Sequence, residues 1–260
     1  MKNLKMQSLK QAQRRLQFLS HPSEKSIIIS PLLQQAYASS SSSSSEIEKP
    51  TNSKLALTQQ ELTKINLLIP RLCLSDHLST AIHLTATALL TNPAYKSISF
   101  SILIHSLTSQ PDMTKSMSLL TILRHTPQAH PHLTRITVML VSSYVKKKRP
   151  KEAYKLYQWM LRPGFPCKVE KIVYKLLVNG FCECGLILEA FRVLRDMVGV
   201  GFVPGSGLRR RVYRSLLREA RVWEAVRLDE ALRSYFGDAN SEGVKKVMEL
   251  LDSTIGSWTE

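Results

Sequence analysis

The chain has 260 residues, with 36 Lys and Arg against 20 Asp and Glu and a net charge of +16. Its 43% apolar and 7% aromatic residues exclude a wholly disordered or collagen-like chain. No run of about 18 apolar residues occurs, so no membrane-spanning helix is expected, and the charge favours a polyanionic partner. Four cysteines (Cys73, Cys167, Cys182 and Cys184) are too few for a disulfide scaffold and read as free thiols in a reducing compartment.

Residues 1–23 carry Lys2, Lys5, Lys10, Arg14 and Arg15 and no acid. Leu4, Met6, Leu9, Leu16 and Leu19 lie among them, partly at helical spacing. An acid-free, basic, weakly amphipathic start suits an organelle transit peptide, whose charge follows a membrane potential inward, and one is predicted over 1–38. The early basic residues lean toward the mitochondrion, with the chloroplast as the alternative. The seven consecutive serines from Ser39 to Ser45 cannot bury surface, so 39–54 is predicted to be a flexible linker.

From residue 55 to 236 apolar residues recur at three- and four-residue steps, which predicts helices. The segments RPKEAYKLYQWMLRPGF (149–165) and LILEAFRVLRDMVGVGF (186–202) align residue by residue. One register joins the small residues Ala81, Ser116, Ala153, Ala190 and Ala225, at steps of 35, 37, 37 and 35. Three positions later stand Leu84, Leu119, Leu156, Val193 and Leu228; seven later, Ala88, Leu123, Met160, Met197 and Leu232. Nine earlier stand Leu72, Leu107, Tyr144, Phe181 and Leu216, and ten earlier the small residues Ser106, Ser143, Gly180 and Ser215. Such columns predict an all-α solenoid of about five antiparallel helical hairpins. The acidic tail, 237–260, has an amphipathic stretch (Val244, Val247, Leu250, Leu251) expected to cap the last repeat.

The segment YKLLVNGFCECGLILEAFRVLRDMVGVGFVPG (174–205) resembles the pentatricopeptide repeat family through Tyr174, Leu177, Gly180, Phe181, Cys182, Gly185, Ala190, Met197, Gly201 and Pro204. The unit at 134–170 resembles it through Leu140, Tyr144, Glu152, Ala153, Leu156, Met160 and Gly164, and the remaining units more loosely. The resemblance implies a short, organellar member that binds single-stranded RNA along the face of the first helices. It assigns base reading to the fifth residue of each motif: Asn66, Ser101, Val138 and Lys175, with Arg210 in the last unit. Val138 has no hydrogen-bonding group with which to discriminate a base. The last motif positions, Lys96, Leu133, Glu170 and Gly205, are not the Asp or Asn the family uses, so no target sequence can be read. Base stacking falls to Ile98 and Ile172 at the second position, where helix-start packing is the plainer reading.

The charge concentrates at 134–168, which carries +8, and at 206–235, which carries +4; the intervening 169–205 is neutral. Clustered cations gain affinity for phosphates by releasing counterions. Lys146, Lys147, Lys148, Arg149 and Arg218 are therefore the candidate phosphate ligands, with a solvated turn as the other reading of KKKRP.

The sequence has no phosphate-loop, H-E-x-x-H or G-x-S-x-G motif, and no H-x-E or C-x-x-C pair of a zinc deaminase. No enzyme, cofactor or metal site is expected. The leading expectation is organellar RNA binding in support of RNA processing, stability or translation, by a monomer. The alternative is a helical scaffold subunit binding ribosomal or RNA-processing proteins.

Overall fold

The computed structural model describes residues 57–91, 98–237 and 241–258. The predicted transit peptide and serine linker, and Lys96, lie outside the described residues. Among the described residues every regular element is helical. Five hairpins follow in chain order: α1 (Gln59–Leu74) with α2 (Leu78–Thr91), α3 (Ser101–Ser109) with α4 (Thr114–Arg124), and α5 (His130–Lys146) with α6 (Pro150–Met160). Then come α7 (Lys171–Glu183) with α8 (Ile187–Gly199), and α9 (Ser206–Arg218) with α10 (Val222–Gly237). A last helix, α11 (Ser241–Gly256), stands alone. The chain is thus the all-α solenoid that the repeat register predicts.

The first helices α1, α3, α5, α7 and α9 pack side by side, each also against its own second helix. The columns account for this. All five small residues of the second helices are buried, and of the three apolar columns only Leu72 and Leu84 are less than buried. Small residues let neighbouring helices approach; the Leu, Met and aromatic columns fill the space between successive hairpins. Tyr144 is fully buried with its hydroxyl 2.9 Å from Ser116 Oγ, so the second repeat's small column satisfies the third repeat's tyrosine. Tyr157 O–H likewise donates to Asp196 Oδ2 at 2.7 Å and ties α6 to α8.

The small column ten positions earlier has a distinct cause. Counted from residues 62, 97, 134, 171 and 206, it is position 10, and each member faces position 12 of the repeat before. Ser143 Oγ lies 2.7 Å from Thr108 Oγ1. Ser106 and Ser215 hydrogen-bond the thiols of Cys73 and Cys182. In the remaining pair the partner is Val145, and there the small residue is Gly180: a Cβ on it would come within 2.5 Å of Val145 Cγ1. A polar neighbour selects serine and a branched apolar one selects glycine.

The hairpin turns also repeat. Position 15 takes a positive φ at Asp76 (59°), Lys148 (56°), Gly185 (74°) and Ala220 (57°). In each case the next N–H reaches back five residues, as from His77 to Leu72 O (2.8 Å) and from Arg149 to Tyr144 O (2.9 Å). This left-handed cap satisfies the last carbonyls of the first helix. The second repeat cannot use it, because position 15 is Pro111, whose ring holds φ negative. The C-terminal carbonyls of α3 therefore need partners from elsewhere, and the next repeat supplies them. The same hairpin also starts late: α3 begins at Ser101, the fifth motif position, and is the shortest of the first helices at nine residues.

The apolar stripe predicted in the tail lies on α11, with Val247 and Leu251 fully buried. α11 packs on α8 and α10 together, spanning the second helices of the last two repeats. Arg195 pairs with Asp252 across the α8–α11 contact, and Arg221 lies 4.5 Å from the Trp258 ring centroid. Among the described residues no helix is long and apolar enough to cross a membrane.

Candidate nucleic-acid interface

The KKKR run does not act as one patch. Arg149 donates to the carbonyls of Thr108 (2.9 Å), Gln110 and Pro111 (2.9 Å), pairs with Glu152 at 2.8 Å, and covers the Tyr144 ring at 5.3 Å. Lys147 Nζ donates to His105 O at 2.6 Å and to Ser109 Oγ. Burial, with the Arg149 charge beside it, pulls the Lys147 ammonium below its usual value. Arg149 thus serves the Thr108 carbonyl, to which Pro111 has no N–H to donate, together with the two carbonyls of the turn that follows, and Lys147 adds a second contact to α3. Of the expected phosphate ligands, Lys147 and Arg149 are therefore engaged by groups of the protein itself. Burial works to raise the Glu152 carboxyl, but hydrogen bonds from Arg149 and from its own backbone N–H, with the Arg149 and Lys155 charges, together outweigh it and the net shift is downward.

Lys146 and Lys148 are exposed. Lys148 Nζ lies 3.2 Å from Glu183 Oε2 on α7. Position 13, at the end of the first helices, reads Leu74, Ser109, Lys146, Glu183 and Arg218 along the array.

The fifth positions are equally mixed. Asn66 is half-buried, and its Oδ1 accepts the Ser99 N–H at 2.9 Å, linking the first repeat to the second. Ser101 is exposed as the first residue of α3. Val138 is half-buried against the core, whereas Lys175 and Arg210 are exposed. Ile98 is 2% exposed, because the late start of α3 folds it into the core. It has no face to offer a base, which corrects the stacking expectation for it. Ile172, at 41% exposed, keeps one.

The fullest concentration of accessible charge is on α9. Arg210, Arg214 and Arg218 recur every four residues, on one helical stripe and about 6 Å apart along the axis. All three are exposed, and among the described residues none has a carboxylate within 4.0 Å. With Arg211 they line a cleft of about 280 Å³ between α9 and the end of α7, bounded by Ser215 and Cys182. Like charges four apart on a helix destabilise it, so the stripe suits an anion that neutralises it. Burial pushes the Cys182 thiol up, against the opposing effects of Ser215, Arg211 and Arg218, so the thiol stays neutral. Arg214 belongs to the basic cluster of residues 206–235 that the sequence shows, without being one of the five named phosphate candidates. Its signal was the spacing of three arginines within one helix.

The first two repeats, residues 62–133, carry +3 with no comparable basic cluster. In the first two repeats the first-helix residues Leu67, Leu74 and Ile102 are exposed at 57, 84 and 43%.

Comparison with known families gives two matches to the repeat described as PPR repeat, at residues 138–165 and 166–198. No curated protein matches the chain. The matched segments cover α6, α7 and almost all of α8, together with the part of α5 from Val138 onward. Proteins with these repeats are generally organellar and RNA-binding. With the 35- to 37-residue hairpin register running from α1 to α10 and the repeat matched twice within it, this chain is a pentatricopeptide repeat protein.

Proposed function

We propose that this protein binds single-stranded RNA in an organelle, the mitochondrion first and the chloroplast second, and thereby supports processing, stability or translation of a transcript. The observation that carries the reading is the arginine stripe of α9, three exposed cations on one face beside a cleft. Phosphates would be gripped there and at Lys146, with Ile172 and the exposed residues Ser101 and Lys175 facing bases. Val138 and Asn66 turn inward, so binding is expected to discriminate weakly among sequences. The acid-free, basic character of residues 1–23 supports the organelle assignment.

The experiment is fluorescence anisotropy of the full chain with labelled single-stranded RNA, over about 50 to 200 mM KCl. Salt-sensitive binding is expected; no binding at the lowest salt would overturn the reading. The second reading, a scaffold subunit of an organellar ribosome or RNA-processing complex, draws on the exposed apolar residues of the first two repeats. Co-sedimentation with ribosomal particles that survives nuclease treatment would favour it.

A further inference from the structure

Glu183 stands at position 13 of the fourth repeat, where the third has Lys146 and the fifth Arg218. Its two carboxylate oxygens are divided between neighbours on either side. Oε2 lies 3.2 Å from Lys148 Nζ, in the turn of the third repeat. Oε1 lies 2.7 Å from Arg211 Nη1, on the first helix of the fifth. One carboxylate therefore joins three successive repeats, and it does so beside the arginine cleft, whose lining includes Arg211.

All three side chains are well exposed, at 63% for Lys148, 44% for Arg211 and 41% for Glu183. Ion pairs this exposed contribute about 0–1 kcal/mol each. They are too weak to be a main support of the fold and are within reach of exchange with a solvent anion. A phosphate offers each cation the same charge-assisted hydrogen bond that the carboxylate does.

We propose that Glu183 is an internal competitor for the RNA phosphate, occupying Lys148 and Arg211 in the free protein and yielding them only to a backbone that displaces it. This rests on the RNA-binding reading above and adds to it a device that weakens non-specific binding. Without the carboxylate, the cationic surface would run unbroken from Lys146 through Lys148 and Arg211 to Arg218. With it, the surface is interrupted at the neutral fourth repeat, and the two cations engage RNA only by exchange.

The test is Glu183→Gln in the full chain, measured by anisotropy with a labelled oligouridine across a KCl series. The control is Glu249→Gln, which changes net charge equally but lies on α11 beside Lys245. Two freed cations at about 0.7 counterions per phosphate contact steepen the slope of log affinity against log salt by about 1.4. Binding by Glu183→Gln is expected to be about tenfold tighter at low salt, with Glu249→Gln close to the unaltered chain. Equal affinity and slope for Glu183→Gln and the unaltered chain, with both binding RNA, would overturn the competitor and leave the RNA-binding reading standing. An equal gain from Glu249→Gln would also overturn it, by showing that net charge alone acts. No binding by either chain would overturn both.

Discussion

Replacing Gly180 by alanine sets two effects of opposite sign against each other. Gly180 lies in the last turns of α7, and within a helix alanine is favoured over glycine by about 1 kcal/mol. Against this, the new Cβ meets Val145 Cγ1 at 2.5 Å and Cγ2 at 3.1 Å. Valine is stiff at χ1, and its two methyls flank the site, so rotation moves one away and brings the other in. Relief requires α5 and α7 to separate, and overpacking of this kind costs about 1–3 kcal/mol. Gly180→Ala is expected to lose about 1–2 kcal/mol net. In a Val145→Ala background only the residue 145 Cβ remains, at 3.4 Å, an ordinary contact. There the same Gly180→Ala change is expected to gain about 1 kcal/mol. Urea unfolding of the four proteins of this cycle, followed by circular dichroism, reads both values. A stabilising Gly180→Ala in both backgrounds would refute the close approach of α5 and α7 and the reason given for the glycine.

Arg149→Gln leaves the Thr108, Gln110 and Pro111 carbonyls without their donor and is expected to cost about 2–3 kcal/mol by urea unfolding. Lys146→Gln, on the same run but exposed, is expected to stay within about 0.5 kcal/mol. A reversed order would show that the run is a simple surface patch. Ala220 holds a φ of 57°; Ala220→Gly removes that strain, is expected to gain about 0.5–1 kcal/mol, and is checked by thermal unfolding. Gly185→Ala, at the same turn position with a φ of 74°, is expected to lose a similar amount. Thr58→Ala removes the hydroxyl that accepts the Glu61 N–H at 3.3 Å in the α1 capping box. It is expected to cost about 1 kcal/mol, with hydrogen exchange rising first at the start of α1.

The repeat register was legible because it is a property of columns. The small and apolar positions of the second helices recur often enough to be seen, and they are the positions the fold buries. The position-10 column was legible as small, but its meaning lay in position 12 of the preceding repeat. The division of the KKKR run was not legible. Arg149 turns inward where Pro111, far back in the chain, denies α3 its left-handed cap. The run's own residues carry no trace of that demand. Ile98 was misplaced for a related reason: the register put it at a helix start, and the helix begins three residues later. The arginine stripe of α9 was within reach, since its four-residue spacing needs only the assignment of one helix. Glu183 is recognisable as an acid between Lys146 and Arg218 in the position-13 column, but not as the partner of Lys148 and Arg211, which lie in the repeats on either side.

The central claim is that RNA is held by the α9 face. It is tested most directly by changing Arg210, Arg214 and Arg218 together to glutamine in the full chain and repeating the salt titration with single-stranded RNA. All three side chains are exposed, so folding is expected to be retained, as circular dichroism would show. Removing three phosphate contacts is expected to weaken binding at least tenfold at low salt and to flatten the salt slope by about 2. Unchanged affinity and slope in a folded triple variant would contradict the account.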